Sequence, residues 1–170
     1  MRRSEAILIY NTLLGINLNK MPDEMIDAIL ADTLALSEIA DAADKARIEL
    51  HRRVFDAIPK ERREAYDDIL RKAEAHEGQK RAAVLAMLKD NYPDIDFARR
   101  RFNRAIEAYL DKEVSVEIEQ IDRIEFIKAC RDSNQPVTPL MMERIAPIFN
   151  GYNERTAEVD SEELYALLND

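Results

Sequence analysis

Tryptophan is missing from this 170-residue chain, and cysteine occurs only once. A lone Cys130 excludes an intrachain disulfide and suits a reducing compartment, so a cytoplasmic location is expected. Glycine occurs 3 times and proline 6 times. Turn residues this scarce do not furnish the many tight connections of a multi-stranded fold. They also leave no glycine-rich loop to cradle a phosphate, and neither G-x-x-x-x-G-K nor G-x-G-x-x-G occurs. No apolar run approaches the roughly 18–20 residues of a membrane span. Two arginines precede an apolar run in MRRSEAILIYNTLLGINLNK, but Glu5, Asn11 and Thr12 interrupt it and no small-residue cleavage pattern follows. The start therefore reads as an amphipathic helix rather than a signal segment, and no membrane association is expected.

Histidine is nearly absent too: His51 and His76 are the only two. Neither lies in an H-E-x-x-H pattern, and Ile48 and Ala73 stand where a helical di-iron site would need glutamate. Cys130 lies in EFIKACRDSN on the apolar side of a short helix, where a thiol acts as a small hydrophobe. Asp90, Asp94 and Asp96 cluster in DNYPDID without the glycine and distal glutamate of a calcium loop, so helix capping is the simpler reading. No cofactor, no metal and no enzymatic activity are expected.

What the chain does have is charge and helical periodicity. Charged residues make up 35% and the net charge is −9. The acidity is uneven: residues 112–170 carry 6 basic and 13 acidic side chains. Such a surface repels phosphates and favours a basic protein partner.

The pattern predicts a mainly α fold: a long antiparallel helical hairpin, shorter helices packed on it, and one short β element near 113–120. Ser4 is expected to cap a first helix over about 5–14. Pro22 opens a second helix with no breaker before Pro59, whose seam runs Ile26, Ile29, Thr33, Leu36, Ala40, Ala43, Arg47, Leu50, Val54, Ala57. A helix from Pro59 would pack against it, with a kink or tight turn at Glu77-Gly78 and an end at Asn91-Tyr92-Pro93. His76 is expected to bond a free carbonyl at that break. Asp94 or Asp96 caps the next helix. Asp122 with Glu125 forms a capping box, and Thr138-Pro139 opens a further helix that Pro147 kinks or ends before Gly151. Residues 1–150 read as a single helical domain. Residues 151–170 read as an extension with a short helix capped by Asp160 and Glu163.

Two stretches are candidate interaction sites. In KEVSVEIEQID, Val114, Val116 and Ile118 alternate with Glu113, Ser115, Glu117 and Glu119, which fits a strand; Val114, Ile118 and Ile121 also fit a helical spacing. A strand needs a partner. Inside the chain, Ile16-Asn17-Leu18 or Gln135–Thr138 are candidates; in trans, a second copy in a homodimer or another protein is. The second stretch is FARRRFNRAIEAY, where Arg99, Arg100, Arg101 and Arg104 could meet phosphates. Local pairing, Asp96 with Arg100 and Arg104 with Glu107, is the competing account, and the net charge disfavours nucleic acid.

The layout of SEAILIYNTLLGINLNKM, a long helical hairpin, KEVSVEIEQID and VTPLMMERIAPIF resembles small helical proteins of unknown function carried by phages and integrated elements of gut bacteria. The resemblance spans about residues 4–150 and rests on phrases such as SEAILIYNTL and LNKM. It implies a phage-related or host-accessory role and brings no site residues, and together with the residues it makes a non-enzymatic assembly or protein-interaction module the expected function. A nucleic-acid-associated accessory factor using the arginine cluster is the alternative.

Overall fold

The structure is a computed structural model that describes residues 1–152; the helix expected behind Asp160 lies outside them. The described residues are mainly helical, with seven α-helices, a 3-10 turn and no sheet. They form two compact units. One holds Met1–Ala42 and the described residues from Asp111 onward; the other holds Ala43–Leu110.

In the first unit, α1 spans Arg3–Leu13 and α2 begins at Asp23, running to Phe55 in the second unit. The cap of α1 differs from expectation. Arg2 is the capping position, because the Glu5 carboxylate turns back to accept the Arg2 backbone N–H at 2.8 Å. Ser4 already lies inside the helix. Asp23 and Glu24 in the first turn of α2 face the positive end of its dipole. Helix α6, Arg123–Asp132, starts where the sequence places it, with Asp122 Oδ1 accepting from the Glu125 N–H at 2.8 Å. Thr138 likewise caps α7, Pro139–Arg144, through the Met141 N–H. Pro147 then falls in the 3-10 turn Ala146–Ile148.

The core of this unit joins Ala6, Ile9 and Leu13 of α1 to Met25, Ile29 and Leu36 of α2. Phe126 and Cys130 of α6, Met142 of α7, and Ile148 and Phe149 complete it. Phe126 and Phe149 meet ring to ring at 5.4 Å. Such a contact adds to the burial of both rings.

In the second unit, the break expected at Glu77-Gly78 is a tight turn that divides the segment after Pro59 into two helices. α3 spans Lys60–Glu74 and α4 spans Gly78–Asn91. Gly78 sits at φ +60°, a left-handed conformation that reverses the chain and that glycine adopts without strain. The helical hairpin is therefore α3 on α4, and α5, Pro93–Leu110, packs on α4. The long hairpin expected against α2 is not borne out: the helices that pair closely in this unit are α3 with α4 and α4 with α5. His76 is exposed at the reversal, and its backbone N–H, rather than its ring, makes the bond there, to the Ala73 carbonyl.

The small core here is Phe55, Ile58, Tyr66, Leu88, Ile95 and Ala98. His51 stacks on Phe55 at 4.5 Å and meets the edge of Phe102 at 5.8 Å. Arg62 holds Asp94 through two 2.7 Å bonds, donates to the Asn91 carbonyl and lies over the Tyr92 ring. That pairing fixes the start of α5. Asp94 is thus an ion-pair partner inside the helix, not its N-cap.

Candidate functional site

Residues 113–120 form no β ladder. The expected partners, Ile16–Leu18 and Gln135–Thr138, do not pair with them; instead the Asn17 N–H bonds the Gln135 side chain. The segment is tied at its two ends by residues far away in sequence. At one end the Val114 N–H donates to the Met1 carbonyl at 2.9 Å, and the Met1 amine donates to the Val114 carbonyl at 3.3 Å. The Arg3 N–H adds a bond to the Lys112 carbonyl, and a single antiparallel bridge joins Arg2 and Glu113. At the other end, Ile121 donates to the Ile148 carbonyl and accepts from the Asn150 N–H. These partners are non-local, and a strand pattern in the sequence does not name them.

Between its ties the strap keeps the alternation of its sequence. Val114, Val116 and Ile118 are half-buried and pack against the core. Glu113, Ser115, Glu117 and Glu119 face solvent. From Ser115 to Ile118 the backbone makes no hydrogen bond among the described residues. Unpaired backbone beside a fixed, alternating side-chain row is the condition of an exposed sheet edge.

The strap also meets a group that sequence reasoning missed. Asp32 of α2 is 1% exposed, and its Oδ1 accepts the Glu119 N–H at 2.7 Å. Its Oδ2 is buried with no partner among the described residues. Burial, with a smaller contribution from the Glu119 charge, pushes its pKa up to about 6, against the lowering effect of the Glu119 N–H. A signal was available: Ile29, Asp32 and Leu36 share the i, i+3, i+7 face of α2, so a carboxylate stands in the buried stripe.

In the second unit the four arginines separate into two pairs. Arg99 donates to the Tyr66 hydroxyl at 2.8 Å and lies over its ring. Arg100 pairs with Asp96 at 2.8 Å, as the i, i+4 spacing suggests. Arg101 and Arg104 make no ion pair among the described residues, so the Arg104–Glu107 pairing does not form. Together with Arg100 and the 63% exposed Phe97, they line an open hollow of about 170 Å³ on α5.

Cys130 is fully buried, and burial pushes its thiol up to about 11, far from a reactive thiolate. Among the described residues no three His, Cys, Asp or Glu side chains converge as a metal site requires. No helix among them is long and apolar enough to cross a membrane. No family model, curated protein or solved structure matches the chain.

Proposed function

We propose that this chain is a non-enzymatic protein-interaction module, acting in the cytoplasm in the phage-related assembly or accessory role that its layout suggests. The observation that carries this reading is the strap at 113–119, held in place with its backbone unpaired between Ser115 and Ile118 among the described residues. A partner strand would complete it as a β element. Glu113, Glu117 and Glu119 give the surface an acidic character that selects a basic partner.

The test is retention on an immobilised lysine-rich peptide at low salt. Changing Glu113, Glu117 and Glu119 together to Gln should shift elution to clearly lower salt. The control changes Glu61 and Glu64, both exposed on α3, to Gln and should shift it little. Equal shifts for the two variants would reject the strap as the interaction surface.

A second reading has its own observation. Arg101, Arg104 and Phe97 present two cations outside any ion pair of the described residues, and one exposed ring, on a single face of α5. That combination suits phosphates and stacked bases. In this reading the chain is a nucleic-acid-associated accessory factor. Single-stranded DNA should then bind with an affinity that falls steeply with salt, and the slope should drop on Arg101→Ala with Arg104→Ala. No binding at low salt dismisses it.

A further inference from the structure

We propose that the strap receives an added β-strand from another protein, an extended segment with lysine or arginine at alternate positions. This rests on the reading of the strap as an interaction surface and specifies how the partner binds.

The edge is identified by the bonds already present. Both backbone groups of Val114 are engaged by Met1, so they point toward the N-terminal residues. In extended chain, groups two residues apart point the same way. The N–H and C=O groups of Val116 and Ile118 therefore lie on the edge that Met1–Arg3 begin to cover, and both are unbonded among the described residues. The bridge between Arg2 and Glu113 is antiparallel. An incoming strand that continues along this edge past Met1 runs antiparallel as well. The opposite edge is less available, because Glu119 is bonded to Asp32 and Ile121 to Ile148 and Asn150.

The strap is ready for this role before binding. Its valines and Ile118 rest on the core, and Val114, Glu119 and Ile121 are tied, so little ordering remains to be done when a strand arrives. Its outer row decides the partner. Glu113, Glu117 and Glu119 would lie beside the outward side chains of the new strand, where opposite charges are favourable and like charges are not. A second copy would bring its own three glutamates to that row. The occupant is therefore a foreign, basic strand.

The probes are two fluorescent ten-residue peptides, one alternating Lys with Val and one alternating Glu with Val, titrated into the full chain. The lysine peptide should bind at least tenfold more tightly than the glutamate peptide. It should slow amide exchange of Val116 and Ile118 at least tenfold. Val116→Pro, which removes one donor from the edge, should weaken binding at least tenfold with an unchanged circular-dichroism spectrum. Glu117→Lys should weaken it several-fold; should the proline variant not fold, this variant and the exchange data decide. Binding of the lysine peptide without slowed exchange at Val116 and Ile118 overturns strand addition but leaves an acidic interaction surface. Failure of both peptides to bind overturns this proposal and the reading beneath it. Equal binding of the two peptides overturns the charge selection, and exchange slowed at these amides by concentrating the protein alone assigns the edge to a second copy.

Discussion

Asp32 gives the chain a pH dependence of stability opposite in sign to that of an ion-paired carboxylate. Its ordinary value is 3.8 and burial raises it to about 6 in the folded chain. Between these values the folded chain holds a proton that the unfolded chain has released, so this residue adds stability as pH falls. The contribution is complete below about 4 and is lost as pH rises through 6. A rise of this size corresponds to roughly 2–3 kcal/mol. Asp32→Asn keeps an oxygen for the Glu119 N–H and removes the buried charge. Its thermal midpoint should exceed that of the wild type at pH 7.5, and the difference should vanish or reverse by pH 4.5 in parallel melts. Cys130 offers a second check at this scale. A thiol this buried should resist a disulfide reagent at pH 8 until denaturant is added, whereas rapid native labelling would contradict its placement.

At the scale of elements, the reversal at Gly78 depends on one backbone conformation. A Cβ added there meets nothing within 4 Å, so Gly78→Ala adds no clash. The left-handed φ remains, and the substitution should cost about 1–2 kcal/mol, read as a lower urea midpoint at unchanged slope. The turn between α3 and α4 was legible because Gly78 interrupts the helical pattern. The starts of α6 and α7 were legible for a similar reason. Asp122 with Glu125, and Thr138 with Pro139, satisfy helix ends through neighbours three residues away or closer. The Arg100–Asp96 pair is equally local. The ties of the strap are not: Val114 bonds Met1, and Ile121 bonds Ile148 and Asn150. An alternating pattern reports which side chains turn inward, and the half-burial of Val114, Val116 and Ile118 agrees with it. It carries no information about which distant backbone ends up alongside. Asp32 was legible in its place between Ile29 and Leu36 on the buried stripe of α2, but a carboxylate on a helix is ordinarily taken as part of the wet face.

At the scale of the whole molecule, each unit has its own core, and they differ in what holds them. Phe126 is fully buried in the first and touches Phe149. Phe126→Ala should remove about 3–5 kcal/mol, enough to unfold a marginally stable unit, and near-ultraviolet dichroism and proteolysis would detect it. The self-repulsion of three outward glutamates leads to a related expectation. In light scattering at neutral pH and micromolar concentration the chain should run near 19.6 kDa, and a stable dimer would require another surface to provide it.

The bond between Arg3 and Lys112 closes a loop that contains all of Ala43–Leu110. During synthesis the residues of that loop leave the ribosome as one uninterrupted block, with α3, α4 and α5 all present. Residues 1–42 emerge earlier yet must wait for Val114, Phe126 and Phe149, a delay of roughly 5–20 s at ordinary translation rates. Throughout that interval Ile9, Leu13, Met25 and Ile29 lack the part of their core that Phe126, Met142 and Phe149 supply. A nascent chain stalled with about 110 residues released should therefore yield a protease-resistant fragment from 43–110, while its first 42 residues are cut and are the part that chaperones hold.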